Sequence, residues 1–175
     1  KTKLHCDLVS HLSQWELPKS KHWPKAALTS MESFFLQHVE RLASKDLLQQ
    51  EWTINVSLIG KTRMKSLNSL HRNKNYATDV LSFPTLNWMD KKHLNQSAEI
   101  AQYNLGDIVI CKDIMQRQAK QFKLSEMDEY LHLLVHGFLH LLGYDHEKSQ
   151  RDAKIMERHE KGILEEIGQF KRGNF

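Results

Sequence analysis

Apolar and polar residues alternate at residues 4–8 and 54–58, with the two-residue period of a half-buried strand. Two further short strands are predicted at residues 80–83 and 106–111. Gly60 follows the second strand, and Pro84 closes the third because proline cannot donate a hydrogen bond within a sheet. Residues from about 85 to 104 have no clear period, and their asparagines (Asn87, Asn95 and Asn104) predict a loop.

Five further segments have the spacing of amphipathic helices. After a predicted loop containing Pro18 and Pro24, residues 30–42 form the first. Ser125 and Asp128 form a variant of the capping box, which opens a strongly apolar helix that runs to Gly143. The apolar faces of the other three helices are marked by Met64, Leu67 and Leu70, by Met115, Ala119 and Phe122, and by Ile155, Met156, Ile163 and Leu164.

The resulting order is β-α-β-α-β-β-α-α-α, which indicates an α+β or α/β protein, and we predict the α+β class. We expect a single domain over residues 1–175, with one mostly four-stranded mixed sheet and about five helices. A chain of 175 residues fits one domain, and its contents of 40% hydrophobic and 26% charged residues are ordinary for a globular protein.

Several features predict a cytoplasmic protein. No stretch approaches the roughly 20 apolar residues that cross a bilayer. The first residues are polar and include Asp7, unlike a signal or transit peptide. Cys6 and Cys111 lie far apart in the sequence, so we expect two reduced, buried thiols rather than a disulfide.

Positive charge is concentrated in one window. No acidic residue lies between Glu51 and Asp79, and the basic residues of the window are Lys61, Arg63, Lys65, Arg72 and Lys74. A basic, acid-free block produces a local positive field that attracts a polyanion such as RNA. A solvated helix face with partners elsewhere in the fold is the alternative explanation.

The segment His136-Gly-Phe-Leu-His140-Leu-Leu-Gly143-Tyr-Asp-His146 predicts a metal site. Four helical residues turn through about 400°, so His136 and His140 project in nearly the same direction. Gly143 stands where the chain needs a positive φ to end the helix and reverse, which brings back His146. Three nitrogens with an open fourth position are typical of a catalytic zinc. Buried structural histidines are the alternative.

His132 lies one turn before His136, yet we do not expect it to bind the ion. Along a straight helix, His132 and His140 are about 12 Å apart at the backbone, too far for one metal. His132 is therefore predicted to pack near the site or to contact a ligand.

The same histidine spacing occurs in metzincin proteases, where a glutamate after the first histidine is the general base. Here that residue is Gly137, which has no side chain. Peptide hydrolysis by that mechanism is therefore not expected. Phosphodiester cleavage depends mainly on positioning and on charge stabilisation at the phosphate.

The histidine segment resembles the signature of the YbeY family of rRNA-maturation endoribonucleases. The stretches around Leu67–Arg72, Thr78–Pro84 and Leu105–Ile110 are also similar to the family, so the resemblance covers roughly residues 4–168. One departure is Ala77, where the family commonly has proline, and the region around Trp15 and Trp23 has no assignment.

This resemblance implies a single-strand-specific, metal-dependent endoribonuclease that processes the 3′ end of small-subunit rRNA and acts in ribosome quality control. It implies that His136, His140 and His146 hold one Zn²⁺ per chain and that Arg72 lies beside the site. The expected partners are single-stranded RNA, ribosomal RNA and the small ribosomal subunit, with no membrane.

For the reaction we expect zinc to act as a Lewis acid and Arg72 to hold a phosphate oxygen. Asp145 is the second candidate catalytic residue, either orienting an imidazole or assisting a water molecule. Lys61 and Lys65 are expected to contact RNA phosphates. Two other functions stay open: a zinc hydrolase or metalloprotease acting on another substrate, and a non-enzymatic rRNA-binding assembly factor.

Overall fold

The computed structural model describes residues 3–10, 23–42, 51–88 and 102–168. In chain order its elements are β1 (Lys3–Ser10), α1 (Trp23–Leu42), β2 (Glu51–Ile59), α2 (Lys61–Arg72), β3 (Val80–Pro84), β4 (Gln102–Cys111), α3 (Lys112–Phe122), α4 (Glu126–Leu141) and α5 (Gln150–Ile167). This is the predicted order of strands and helices.

The strands form one mixed sheet in the order β1-β2-β4-β3. Strands β1, β2 and β4 are parallel, and β3 pairs antiparallel with β4, with Ser82 opposite Ile108. The short strand β3 therefore forms one edge. The predicted α+β class, with a four-stranded mixed sheet and five helices, is confirmed.

Helices cover both faces of the sheet, because alternate residues of its central strands face opposite sides. The larger apolar cluster joins α1, α4 and α5 to one face, where Ile108 and Ile110 are buried. The smaller cluster joins α2 and α3 to the other face, where Val109 and Cys111 are buried. Within the described residues, no helix combines the length and the apolar character needed to cross a membrane.

The predicted start of the first helix is wrong. Helix α1 begins at Trp23 rather than near residue 30, and it includes Pro24, which the sequence placed in a loop. Proline is compatible with the first turn of a helix, where its missing N–H has no helical acceptor. Pro18 and residues 89–101 of the second predicted loop lie outside the described residues.

Strand β4 also begins earlier than predicted, at Gln102. Its pairing with β2 shifts between Thr53 and Ile54, which face Asn104 and Gly106, so Leu105 is an extra residue. A bulge of this kind interrupts strict alternation, which explains why the pattern was not visible in the sequence.

The predicted apolar face of α2 is only partly correct. Met64 is buried, but Leu70 is 73% exposed. Asn68 occupies the second buried position, because its side-chain amide donates a hydrogen bond to the carbonyl of Tyr76. The predicted burial of Cys111 as a free thiol is confirmed, whereas the side chain of Cys6 lies outside the described part of the structure.

Candidate metal centre

Helix α4 begins at the predicted cap, since the Ser125 hydroxyl accepts a hydrogen bond from the backbone N–H of Asp128. The helix places His136 and His140 on one side, with their Nε2 atoms 3.2 Å apart. Two imidazole nitrogens bound to one tetrahedral zinc ion at ~2.0–2.1 Å lie about 3.3 Å apart. The two rings therefore already have the separation that a shared ion requires.

The turn after α4 brings His146 to the same place. Gly143 has φ +86°, the positive value expected from the sequence, and the N–H of Tyr144 donates to the carbonyl of Leu139 at 3.1 Å. The His146 ring centroid lies 5.1 Å from those of both His136 and His140. One ligand atom from each of these histidines can be chosen so that all three lie within 4.8 Å of one another.

The indole of Trp88 supports this turn. Its Nε1 donates to the carbonyl of Leu141 at 2.8 Å, which satisfies a carbonyl at the end of α4. Trp88 is 6% exposed and lies against the backbone of Gly143. The sequence had no signal for this contact, because Trp88 is 53 residues from Leu141 and no helical or strand period links them.

A carboxylate from α5 lies behind the histidines. Oε1 of Glu160 is 3.0 Å from Nδ1 of His136 and 3.5 Å from Nε2 of His132. His132 also lies 3.7 Å from the buried carboxylate of Glu129. His132 therefore belongs to the surroundings of the site, as predicted, while Glu160 is a site residue that the sequence did not reveal.

The electrostatic environment favours neutral imidazole and ionised carboxylate. Burial and the neighbouring His136 and His146 lower the pKa of His140 to about 4, so its ring is neutral and able to bind a cation at neutral pH. Burial opposes ionisation of Glu160, but hydrogen bonds from His132 and His136 outweigh it and lower the pKa of Glu160 to about 2.

Gly137 has a packing role that explains the missing side chain after the first histidine. A Cβ atom here would lie 2.7 Å from Cγ2 of the buried Ile108 and 3.1 Å from Oγ of Ser82. The Ser82 hydroxyl donates to the Gly137 carbonyl at 3.2 Å. Helix α4 therefore lies directly on the sheet at this point, and a glutamate could not be accommodated without separating the two.

The histidines line a cavity of about 790 Å³ between β3, the end of α2 and the turn after α4. Arg72 and Asp145 line the same cavity, so the structure brings them together with the three histidines. Lys61 and Lys65 are exposed at the other end of α2 and do not contribute to this lining. Lys61 and Arg72 are eleven positions apart along the helix, a distance of about 16 Å.

One contact connects two walls of the cavity, and a second lies within the turn after α4. Nη2 of Arg72 lies 3.3 Å and 3.4 Å from the two carboxylate oxygens of Glu147, although both side chains are substantially exposed. Oδ1 of Asp145 accepts a hydrogen bond from the backbone N–H of Glu147 at 2.9 Å. Arg72 thus reaches the turn that carries His146, and Asp145 stabilises that turn.

These donors fit a divalent metal ion. Three imidazoles converge from a helix and the turn after it, and a carboxylate contacts the outer nitrogen of one of them, the usual arrangement for orienting a metal-binding histidine. The fold and site define an α+β protein with a candidate three-histidine metal centre at the edge of its sheet.

Comparison with known proteins identifies the family. The model of the family described as "Endoribonuclease YbeY" matches residues 19–168. A protein of that name from Leptospira interrogans is 41% identical over 131 residues, which are 71% of this chain and 93% of the relative. Those from Idiomarina loihiensis and Finegoldia magna are each 37% identical, covering 72% and 75% of this chain and 73% and 79% of the relatives. The chain belongs to the YbeY endoribonuclease family.

Among solved structures, the solution structure of TM1509 from Thermotoga maritima is 24% identical and covers 95% of this chain and 89% of its own. Its TM-score of 0.48 does not by itself establish a common fold. The family assignment depends on sequence similarity, and it confirms the resemblance inferred from the histidine signature.

Proposed function

We propose that this protein is a single-strand-specific, metal-dependent endoribonuclease of the cytoplasm, formed as one domain by residues 1–175. Its proposed role is processing of the 3′ end of small-subunit rRNA and ribosome quality control, with ribosomal RNA and the small subunit as partners. The observation that carries the proposal is the cavity shared by the three histidines and Arg72. The endoribonuclease names of the relatives support it.

His136, His140 and His146 would hold one Zn²⁺ per chain. A zinc ion bound there supplies Lewis-acid chemistry that activates water and stabilises charge on a phosphoryl oxygen. Glu160 keeps His136 oriented by accepting a hydrogen bond from its Nδ1, which leaves Nε2 as the ligand atom. Because the pKa of His140 is lowered to about 4, its imidazole is neutral at physiological pH.

Arg72 is proposed to bind the phosphate next to the cleaved bond. A guanidinium presents several donors in one plane, which suits two oxygens of a phosphate. In the structure, Nη2 of Arg72 alone contacts both carboxylate oxygens of Glu147. An exposed ion pair contributes only ~0–1 kcal/mol, so a phosphate can replace Glu147 at little energetic expense.

Asp145 is proposed to act within the cavity in two ways. Its Oδ1 holds the backbone of Glu147 and so stabilises the turn that positions His146. Its Oδ2, 4.0 Å from Nζ of Lys148, is the oxygen that we assign to orienting water or accepting a proton.

Lys61 and Lys65 are proposed as peripheral phosphate contacts. They lie about 16 Å and 10 Å along α2 from Arg72, within reach of an RNA strand that continues past the cavity. Such contacts add affinity that weakens as salt concentration rises, without carrying sequence information.

The test is cleavage of a short single-stranded RNA by the zinc-loaded protein, with zinc content measured on the same preparations. Arg72→Glu should abolish most cleavage while zinc content and melting temperature stay nearly unchanged. Lys61→Ala and Lys65→Ala should only weaken binding and flatten its salt dependence. Arg117→Glu is the matched control, because Arg117 is exposed on α3 and does not line the cavity.

Three results would contradict parts of the proposal. Cleavage by Arg72→Glu at the parent rate would place the active surface on another side of the metal. Loss of zinc from this variant would show that Arg72 supports the metal site rather than substrate. A parent protein that binds RNA without cutting it, and without sensitivity to a chelator, would be an assembly factor, and cleavage of a peptide library would indicate a protease.

A further inference from the structure

We propose that the rings of His71 and Phe83 form a base-binding subsite, in which one unpaired RNA base stacks beside the metal centre. This inference rests on the proposed function. His71 is the next-to-last residue of α2, and Phe83 lies in the edge strand β3. Their ring centroids are 4.9 Å apart with an interplanar angle of 67°, and both residues line the cavity of the three histidines.

The two rings differ in how firmly they are held. Phe83 is half-buried and packs against the smaller apolar cluster, which fixes the position of its ring. His71 is exposed. Two aromatic rings at a steep angle form a corner, so a flat base can stack on one ring while its edge meets the other. Because Phe83 is already ordered by the core, little side-chain freedom is lost when a base binds.

Two cations lie beside this pair, where they can contact the phosphate of a nucleotide. Arg72 directly follows His71, and Lys74 also lines the cavity. Each nucleotide joins one base to one phosphate, so a base stacked on this pair brings its phosphate towards the guanidinium of Arg72. Aromatic side chains interleaved with cations are the usual means of binding single-stranded nucleic acid.

The position of the pair implies a path for the strand. Ser82 contacts the carbonyl of Gly137 on the α4 side of β3, whereas Phe83 packs on the α2 side. The metal centre and the aromatic pair thus lie on opposite sides of the edge strand, and bound RNA would cross that edge. In a duplex the base faces are covered by stacked neighbours, so this subsite accepts only an unpaired base and accounts for single-strand specificity.

The experiment measures binding of a fluorescent single-stranded RNA oligonucleotide to the zinc-loaded full chain. His71→Ala and Phe83→Leu should each weaken binding about fivefold to tenfold, the lower part of the range for one base on an aromatic side chain. The salt dependence should be unchanged for Phe83→Leu, because this variant removes no ionisable group. Phe122→Leu is the matched control, since Phe122 is 44% exposed and does not line the cavity.

A second set of probes locates the base. In this set an abasic nucleotide replaces each position of the oligonucleotide in turn. The parent should lose affinity most strongly at one position, and His71→Ala should lose that position-specific difference. His71→Phe should retain it, because a ring is preserved.

Two outcomes would overturn the inference while leaving the proposed function intact. One is parent-like binding by both His71→Ala and Phe83→Leu in a protein that still cuts single-stranded RNA. The other is the same abasic profile in parent and His71→Ala. If the parent neither binds nor cuts single-stranded RNA, the proposed function and the subsite fail together.

Discussion

Oε1 of Glu160 on α5 lies 3.0 Å from Nδ1 of His136 on α4, and so a carboxylate 24 residues away in sequence orients the first histidine of the metal centre. The same oxygen is 3.5 Å from Nε2 of His132. Two histidines of one helix thus contact one carboxylate. Only His136 also places its second ring nitrogen at the site where a metal would bind. The contact determines which nitrogen of His136 faces the cavity.

The role of Glu160 predicts an effect on metal affinity. Glu160→Ala should weaken zinc binding about 10–100-fold, because His136 loses the partner that orients its ring. Zinc binding by Glu160→Gln should be weakened less, since the amide oxygen can still accept a hydrogen bond from Nδ1 of His136. Zinc affinity is measured by competition with a chromophoric chelator. Glu157→Ala, an exposed position on the same helix, is the control, and equal affinities for parent and Glu160→Ala would refute the role.

A second prediction distinguishes the histidines that bind the metal from His132, which only lies near them. Elemental analysis should find about one zinc per chain in the parent, and His140→Ala should lower this occupancy strongly because it removes one of three converging nitrogens. His132→Ala should retain zinc, since His132 contacts Glu160 and Glu129 instead. Equal loss from the two variants would contradict the assignment of His146, rather than His132, as the third ligand.

Gly137 and Gly162 form a matched pair for testing helix packing. Gly137→Ala should destabilise the protein by about 1–3 kcal/mol, because its Cβ would lie 2.7 Å from Cγ2 of buried Ile108. Gly162→Ala should stabilise it by about 0.5–1 kcal/mol, because among the described residues no atom beyond the adjoining backbone of its own helix lies within 4 Å of the added Cβ, and alanine is the better helix former. Urea unfolding measures both. Similar effects of the two substitutions would mean that α4 does not lie directly on the sheet.

The turn at Gly143 gives a further prediction. Its φ of +86° disfavours residues with a Cβ, so Gly143→Val should cost about 1–2 kcal/mol and displace His146, lowering zinc affinity. Gly143→Asn should be tolerated better, because asparagine adopts positive φ more readily. Unfolding and zinc titration of both variants test this. Full stability and zinc affinity in Gly143→Val would show that the turn can form without positive φ.

Asp79 predicts a pH dependence of stability. Burial acts to raise the pKa of Asp79, but hydrogen bonds from Gln118, the backbone of Val80 and Thr78 outweigh it and hold the pKa below the ordinary 3.8. A carboxylate whose pKa is lowered in the folded state stabilises the protein at pH values above its ordinary pKa. This contribution is lost as the pH falls from the ordinary pKa through the lowered pKa of the folded state.

The matching variant is Asp79→Asn. Its free energy of unfolding at neutral pH should be lower than that of the parent by on the order of 1–3 kcal/mol. This difference should shrink as the pH falls below about 4. Urea unfolding of the metal-free proteins at several pH values measures this difference. A difference that stays constant down to pH 3 would exclude the ionised carboxylate as its source.

The sequence alone determined the local parts of this protein. The sequence pattern predicted all four strands, two of them by strict alternation, and helical spacing predicted that His136 and His140 share one face. Glycine at 143 predicted the reversal that brings in His146. These predictions succeeded because each depends on backbone geometry within a few residues, where side-chain period and permitted φ decide the outcome.

Tertiary structure decided the remainder. The bulge at Leu105 and the burial of Asn68 depend on partners outside their own segments, as do the contacts of Glu160 with His136 and of Glu147 with Arg72. No local period records such contacts, because residues far apart in the chain meet only after the helices pack on the sheet. The spacing of the three histidines is thus determined by α4 and the turn after it. The side chains around them come from α2, β3, β4, α5 and that same turn.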